Sequence, residues 1–338
     1  MDTIKDLKIN LEQKILQSNK VVIVPHNGVD FDAIGSAIGL TEIVKKLKKV
    51  PHIVVNDLEY KLDKGVQIIL NEFKSKTSII NKEKYLEIKD PNDLFLLTDV
   101  NKEYLISLRN EIKSIDRNNI IIIDHHDVDQ STIDTDFKYI DTNISSASEI
   151  VTKLLQLFKV KISSDVANYL LAGVHLDTNR LKKNTSSDTF KTIARLLECG
   201  ANNEIINKWF IEDFNSYTRV HSLVGKAEMM NFSIAIVKGE DTNIYTKEEL
   251  AKAADYLLNF GVDASFVIGC IGNNIISISA RSNEKIDVGL VMKDMNGGGN
   301  RYSAATKITD MSEDEIYKKL VKIITPPCYI DKNIPKKS

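Results

Sequence analysis

The chain has 338 residues, enough for about two domains, and 43% of them are hydrophobic, which allows a sizeable core. Its net charge of −2 provides no overall basic field, which argues against long duplex nucleic acid as a partner. No basic, apolar leader precedes the first helix, and no apolar run approaches the ~20 residues of a membrane span. We therefore expect a cytoplasmic protein that has no membrane partner.

The spacing of the three cysteines is also typical of a cytoplasmic protein. Cys199, Cys270 and Cys328 are scattered and lack the C-x-x-C spacing of a thiolate metal site. Such usage is typical of a reducing compartment. We do not expect cysteine to take part in metal binding or catalysis.

The first part of the chain alternates apolar strands with helical stretches. An amphipathic helix is predicted over residues 7–16 and a second helix over 33–47, with strands at 21–25, 53–55, 94–99 and 120–123. This alternation is typical of an α/β fold with a doubly wound, mainly parallel sheet. Helices are predicted next, over residues 146–158, 163–174, 189–199 and 203–213.

A second, smaller α/β unit is predicted from about residue 231. It comprises a strand over 232–237, a helix over 247–260, strands at 265–270 and 275–279, a short helix, and a last helix over 313–324. Gly272-Asn273-Asn274 separates two of these strands and predicts a hairpin turn. We expect domains at 1–200 and 229–328, a linker helix region at 201–228, and a frayed tail at 329–338.

Acidic and imidazole side chains follow three strands of the predicted parallel sheet. The carboxyl ends of parallel strands meet at one edge, where ligands bind in such folds. A further acid, Asp177, follows an apolar helical run. The residues at the strand ends are His26, Asp30 and Asp32 after the first, Asp99 after the third, and Asp124, His125 and His126 after the fourth.

This combination indicates a divalent metal site. Carboxylates at short range repel one another unless cations neutralise them. Oxygen and imidazole ligands without cysteine favour Mn²⁺, with Zn²⁺ and Mg²⁺ as alternatives. The number of ligands is sufficient for two ions, and two ions about 3.5–4 Å apart suit in-line displacement at phosphorus. Taken singly, Asp30 and Asp32 could instead cap the helix at Ala33, and Asp99 and Asp177 could each serve a turn. Their joint occurrence favours the metal site.

These residues resemble the four motifs of the DHH phosphoesterases. Gly297-Gly298-Gly299, with Ala304-Ala305, resembles the glycine-rich motif of the DHH-associated (DHHA1) domain that follows in that family. Within the family, the chain is similar to the catalytic half of the GdpP-type cyclic-di-AMP phosphodiesterases. The stretches that carry this similarity are Ser145–Glu149, Ala264–Ile268, Ile278–Ser282 and Ala304–Thr306.

The resemblance implies a role for each site residue. One Mn²⁺ would be held by His26, Asp30 and Asp99, and the other by Asp32, Asp99, His125 and Asp177. Asp124 would orient a ligand, and His126 would lie near the scissile phosphate. The active site would lie in the cleft between a DHH domain and a DHHA1 domain, in a homodimer. The implied substrate contacts are Arg281, Ser282, Gly297, Gly298, Gly299 and Asn300.

Three departures from the family pattern leave more than one substrate as a hypothesis. Asn300 stands where the glycine run usually ends in histidine, Val29 stands where proline is frequent, and Asn179-Arg180 resembles the oligoribonuclease branch. The first hypothesis is hydrolysis of cyclic-di-AMP to 5′-pApA and onward to AMP. The second is degradation of short oligoribonucleotides such as pApA, or of pAp. A third, prompted by Asn300, is a nucleotide-binding module without catalysis.

Overall fold

The computed structural model describes residues 3–56, 62–74, 78–211, 213–230, 233–240, 243–283 and 285–325. The chain divides into two compact units, Met1–Ile211 and Glu212–Ser338. This division falls within the segment predicted as a linker helix region. Phe232, at the start of a predicted strand, Cys328, and the predicted tail at 329–338 lie outside the described residues.

The first unit is built on a six-stranded parallel sheet. Its order is β3-β2-β1-β4-β5-β6, which confirms the predicted doubly wound topology. Alternate residues of the central strands point to opposite faces, and both faces are buried; Val21 and Ile23 contact one core cluster and Val22 and Val24 the other. The strands are β1 (Val21–Val24), β2 (Pro51–Val54), β3 (Ser78–Ile80), β4 (Leu94–Thr98), β5 (Ile120–Asp124) and β6 (Lys138–Ile140).

Nine α-helices accompany this sheet in the described part of the unit. They are α1 (Ile4–Gln17), α2 (Phe31–Lys46), α3 (Lys64–Lys74), α4 (Lys82–Ile88), α5 (Arg109–Ser114), α6 (Ala147–Leu157), α7 (Ser164–Asp177), α8 (Ser187–Glu198) and α9 (Asn203–Trp209). Two of these helices begin or end at acidic residues that are candidate metal ligands. α2 begins at Phe31 rather than Ala33 because Asp30 caps it, and α7 continues beyond Val174 to Asp177.

Close packing of α2 against α6 and α7 requires small residues. A Cβ on Gly35 would lie 2.5 Å from the carbonyl oxygen of Tyr169, and one on Gly39 would lie 2.6 Å from Cγ1 of Val151. α2 is buried along most of its length. The small residues at 35 and 39 therefore let three helices pack tightly beside the metal-ligand candidates.

The second unit has a six-stranded mixed sheet of order β11-β12-β10-β9-β8-β7. The predicted hairpin is confirmed, because β9 and β10 pair antiparallel around Gly272, Asn273 and Asn274, whose φ angles are 99°, 50° and 57°. The elements are α10 (Phe214–Gly225), β7 (Glu228–Met230), β8 (Ile234–Lys238), α11 (Lys247–Leu258), β9 (Ala264–Cys270), β10 (Ile276–Ser282), α12 (Val288–Asp294), β11 (Gly298–Gly299), β12 (Ser303–Ile308) and α13 (Glu313–Ile324). Among the described residues, no helix is both long enough and apolar enough to cross a bilayer.

Candidate metal centre

Strand order brings the predicted metal ligands together. β1, β4 and β5 are neighbours in the parallel sheet, so the residues that follow them meet at one edge. The end of α7 adds Asp177. Ligand atoms from these residues form three groups, each with all its members within 4.8 Å of one another: Asp99 with Asp124, His125 and His126; His26 with Asp30 and Asp99; and Asp32 with His125 and Asp177.

The first metal position is outlined by His26, Asp30 and Asp99. Nε2 of His26 lies 3.6 Å from Oδ2 of Asp30 and 3.5 Å from Oδ2 of Asp99. Nδ1 of His26 lies 2.9 Å from the carbonyl oxygen of Asn27, which fixes the ring. Oδ1 of Asp30 meanwhile accepts the N–H groups of Asp32 and Ala33. Asp30 is therefore a helix cap through one oxygen and faces the candidate metal position with the other.

The second position is centred on His125. Its Nε2 lies 3.2 Å from Oδ2 of Asp177, 3.3 Å from Oδ1 of Asp99 and 3.9 Å from Oδ2 of Asp32. Asp99 thus turns one oxygen toward each position. Asp99 has a φ of 58°, in the left-handed region that aspartate tolerates better than most other residues with a side chain.

Asp32 is held by the start of α6, a contact that the sequence did not reveal. Its Oδ2 accepts the N–H of Ala147 at 2.7 Å, and its Oδ1 accepts the N–H of Ser148 at 2.8 Å. The positive end of the helix dipole favours this carboxylate. A Cβ on Gly173 would lie only 2.6 Å from Oδ1 of Asp32 and 2.3 Å from Oγ of Ser148.

We call the N–H groups of Ala147 and Ser148, together with the Cα of Gly173, the Asp32 cradle. The predicted start of this helix at residue 146 is confirmed, because Ser146 caps α6. No pattern in the sequence indicates that this helix start meets Asp32, more than 100 residues earlier in the chain.

Asp124 is fully buried and contacts His126. Its Oδ1 lies 2.8 Å from Nδ1 of His126 and accepts the backbone N–H of His125 at 2.8 Å. Nδ2 of Asn101, a residue the sequence analysis did not select, donates to the carbonyl oxygens of His126 and Asp127. The His126 side chain is 57% exposed, so its ring is accessible from solvent.

The charges of the cluster shift several pKa values. Burial alone would lower the pKa of His26, but the nearby carboxylates of Asp30 and Asp99 outweigh it and raise the pKa to about 11. Burial likewise opposes the charge on His125, yet Asp177 and Asp99 raise its pKa to about 12. Burial, together with the nearby charge of Asp177, raises the pKa of Asp32 to about 7. Without cations, two imidazolium groups therefore offset the acids.

The donor set fits divalent metal ions. Oδ1 of Asp99, Nε2 of His125 and Oδ2 of Asp177 are buried and have no hydrogen-bond partner among the described residues, although both oxygens lie within 3.3 Å of the nitrogen. Ligand atoms about 2.1 Å from one ion lie roughly 3 Å from each other. A metal ion would satisfy these atoms and replace the imidazolium protons as the balancing charge.

The predicted substrate contacts lie in the second unit, and most of them already have protein partners. Nε of Arg281 donates to Oδ1 of Asp255 at 2.9 Å, and Oγ of the buried Ser282 donates to the carbonyl oxygen of Asp263. Gly298 is exposed, and a Cβ added to it would meet no described atom within 4 Å, whereas Gly297 and Gly299 lie against β12. Oδ1 of Asn300 accepts the N–H groups of Tyr302 and Ser303. Substrate binding by these residues stays a prediction.

Comparison with known proteins identifies both units. Residues 20–174 match the family model of the DHH family, N-terminal domain, and residues 231–325 match that of the DHHA1 domain. The chain belongs to the DHH family. The predicted fold class, with a DHH domain and a smaller DHHA1 domain, is thereby confirmed.

Two similar relatives are named as cyclic-di-AMP phosphodiesterases. The cyclic-di-AMP phosphodiesterase GdpP of Geobacillus thermodenitrificans is 33% identical over 322 residues, which cover 93% of this chain and 48% of that protein. The cyclic-di-AMP phosphodiesterase PdeA of Listeria monocytogenes is 28% identical over 322 residues, with the same coverage of 93% and 48%. This chain thus spans about half the length of the curated relatives it matches.

Solved structures share the fold. An exopolyphosphatase-related protein from Bacteroides fragilis superposes with a TM-score of 0.76 at 20% identity, over 94% of this chain and 96% of that one. RecJ from Thermus thermophilus in complex with Mn²⁺ gives a TM-score of 0.54 at 11% identity, over 98% of this chain and 56% of that one. At these identities, the likeness concerns the fold alone.

Proposed function

We propose that this protein is a two-metal phosphodiesterase that hydrolyses cyclic-di-AMP to 5′-pApA and then to AMP, with Mn²⁺ as its cofactor. The observation that carries the proposal is the pair of ligand groups that share Asp99. One group contains His26 and Asp30, and the other is centred on His125. Sequence similarity to the cyclic-di-AMP phosphodiesterases GdpP and PdeA supports the choice of substrate.

The proposed ligands are His26, Asp30 and Asp99 for one ion, and Asp32, Asp99, His125 and Asp177 for the other. Bound ions would supply a hydroxide at neutral pH and polarise the phosphoryl oxygens. Hydrolysis adds the hydroxide to phosphorus and breaks the bond to O3′, which leaves as an alcohol after it takes up a proton. The products of the first step are therefore a free 3′-hydroxyl and a 5′-phosphate on one linear dinucleotide.

The role we propose for His126 is to stabilise the charge that develops on the phosphoryl oxygens. It is accessible from solvent, whereas Asp124 holds its Nδ1 from the buried side. The hydrogen bond that Asp124 accepts from His126 raises the pKa of His126, which favours the positively charged ring. A cation fixed in advance at this point lowers the barrier, since no reorganisation is needed during the reaction.

A second candidate has the same metal centre but a different substrate. Short oligoribonucleotides such as pApA, or pAp, would be hydrolysed instead of the cyclic dinucleotide. The sequence Asp177-Thr178-Asn179-Arg180 favours this candidate, because it resembles the oligoribonuclease branch of the family. Asn300 also lacks the charge that a histidine could offer to a phosphate.

A product assay tests the proposal. The purified protein is incubated with Mn²⁺ and cyclic-di-AMP, pApA or pAp in parallel, and the products are separated by chromatography. Conversion of cyclic-di-AMP to pApA supports the first substrate. An inert cyclic dinucleotide beside rapid loss of pApA would favour the second, and no product from any of the three would contradict both.

Asp99→Asn tests the metal centre itself. Loss of one carboxylate charge at the shared position is expected to abolish Mn²⁺-dependent turnover while the circular dichroism spectrum stays unchanged. Asp188→Asn is the matched control, because Asp188 is half exposed in α8 and pairs with Lys191. A fully active Asp99→Asn variant would refute the proposed metal centre.

A further inference from the structure

The segment that follows Asp177 has an unusual backbone. Asn179, Arg180 and Leu181 have φ angles of 46°, 55° and 67°, a left-handed run that is costly for residues other than glycine, asparagine and aspartate. Hydrogen bonds define the turn: the N–H of Arg180 donates to the carbonyl oxygen of His175 at 2.7 Å, and that of Lys182 donates to the carbonyl oxygen of Thr178 at 2.8 Å. The turn therefore has a definite conformation despite its strain.

A stack of side chains links this turn to Phe31, at the start of α2. The guanidinium carbon of Arg180 lies 5.4 Å from the ring centroid of Phe210, and that ring lies 4.4 Å from the ring of Phe31. Phe31 stands in the chain between Asp30 and Asp32, two of the proposed ligands. The stack therefore connects the Arg180 side chain to the start of α2, and Arg180 also follows Asp177 by three residues in the chain.

The turn is basic, and its cations have no acidic partners in the part of the chain that the structure describes. Arg180, Lys182 and Lys183 are exposed, and we refer to residues 180–183 as the basic loop. Throughout the described ranges, no carboxylate lies within ion-pair distance of these three side chains, and no acceptor takes a hydrogen bond from the Arg180 guanidinium. By contrast, Arg195 and Lys191 in the next helix both have acidic partners. The donors of the basic loop are thus open to a ligand.

We propose that Arg180, assisted by Lys182 and Lys183, binds a phosphate of the substrate other than the scissile one, namely the terminal 5′-phosphate of a linear dinucleotide. This proposal rests on the proposed function and adds a substrate-specificity determinant to it. The scissile phosphate would be neutralised at the metal positions, so a neighbouring phosphate requires a cation from the protein. A guanidinium binds two phosphate oxygens at once, which suits a terminal monophosphate.

The kinetic test compares two substrates that differ only in the terminal phosphate, pApA and ApA. Arg180→Gln is expected to raise KM for pApA by about tenfold or more, the size of a lost charge-assisted hydrogen bond, and to change KM for ApA by less than about twofold. Arg195→Gln, which removes an exposed arginine of α8, should affect neither substrate. Equal changes on both substrates, or no change on pApA, would overturn the proposal.

Arg180→Gly separates binding from backbone strain. Glycine adopts a φ of 55° without penalty, so this variant should melt at the same temperature as the wild type or above it. It should nevertheless lose the preference for pApA over ApA to the same extent as Arg180→Gln. A glycine variant that keeps the preference would show that the side chain only shapes the turn, which would refute the proposal.

A binding measurement remains decisive if the protein hydrolyses neither dinucleotide. Adenosine and adenosine 5′-monophosphate contain no phosphodiester, and their affinities for the Mn²⁺-loaded protein can be measured by titration calorimetry. Arg180→Gln should weaken the binding of adenosine 5′-monophosphate by about tenfold and leave the affinity for adenosine unchanged. Unchanged affinity for the monophosphate would contradict the proposed role of Arg180, whatever the outcome of the activity assays.

Discussion

Oδ1 of Asp124 lies 2.8 Å from Nδ1 of His126. The same oxygen accepts the backbone N–H of His125, so one buried carboxylate orients two consecutive histidines in different ways. It holds the ring of His126 but only the main chain of His125, whose Nε2 points toward Asp99 and Asp177. This arrangement supports the separate roles proposed for the two imidazoles, His125 as a metal ligand and His126 at the substrate.

Asp124→Asn should separate these parts. The amide oxygen can still accept the N–H of His125, but the charge that favours the protonated ring of His126 is lost. Changes to residues that orient catalytic groups typically cost about 10–100-fold, and we expect kcat to fall by that factor while Mn²⁺ affinity changes little. Steady-state kinetics and calorimetric titration with Mn²⁺ measure the two effects. Asp134→Asn, an exposed aspartate paired with Arg117, is the control. A parallel loss of metal affinity would contradict this separation of roles.

Because the Asp32 cradle positions a proposed metal ligand, we expect that a substitution in the cradle weakens metal binding even though it removes no ligand. Gly173→Ala would push a methyl group against Oδ1 of Asp32, whereas Gly39→Ala would push one against Val151 in the same group of helices. Both should lower the free energy of unfolding by about 1–3 kcal/mol through overpacking. Only Gly173→Ala should also weaken Mn²⁺ binding, by about tenfold.

Urea denaturation and calorimetric titration of the two variants, side by side, provide the measurement. The paired design matters because overpacking alone could loosen the site. If Gly39→Ala weakened Mn²⁺ binding as much as Gly173→Ala does, the cradle would have no specific role in positioning Asp32.

Two substitutions of Asn300 should separate its contribution to the stability of the turn from the effect of charge at this position on substrate binding. Its Oδ1 accepts two backbone N–H groups, at 2.9 Å each, between β11 and β12. Asn300→Ala removes both bonds and should lower the free energy of unfolding by about 1–2 kcal/mol. Asn300→Asp keeps the acceptor and should retain stability, but it should raise KM for the nucleotide substrate because it adds a negative charge. Thermal melts and KM values check the two expectations; an aspartate variant with unchanged KM would mean that position 300 lies away from the bound phosphates.

We expect the stability of the second unit to depend on pH through the ion pair between Glu249 and Arg219. Burial alone would raise its pKa, but two hydrogen bonds from Arg219, at 2.9 and 2.5 Å, and the N–H of Thr246 lower it below the unfolded value of 4.5. A depressed pKa contributes stability that is complete above the unfolded pKa and is lost as the pH falls through the folded one. Arg219 is 39% exposed, so we expect Arg219→Gln to cost only about 1–2 kcal/mol at pH 7.

That cost should shrink as the pH falls below about 4, because the protonated Glu249 gains little from Arg219. Urea unfolding followed by circular dichroism at pH 7 and pH 3.5 tests this sign, with Arg195→Gln as the exposed control. A difference between wild type and Arg219→Gln that grows toward acid pH would be inconsistent with the assigned pair.

Sequence reasoning succeeded where a pattern repeated over several residues. The apolar runs of β1, β4 and β5 and the helices from α6 to α8 were predicted within a few residues of their observed bounds. The three-residue strands β3 and β6 at the sheet edges were missed, because such short segments show no period. Helices α3, α4 and α5 were also missed. The start of α2 is predicted two residues late, because Asp30 caps the helix with Oδ1 while its Oδ2 faces His26.

The sequence by itself determined the parallel sheet, the family and the candidate ligand set, because these depend on local periodicity and on residue types at fixed spacings. Only the tertiary structure decided which atoms face each other. It showed that α6 begins at the carboxylate of Asp32, that Asp124 holds the ring of His126, and that Arg180 stacks on Phe210 beside Phe31. Such contacts join residues from separate elements, and they depend on how helices and strands pack. No pattern within one element specifies that packing.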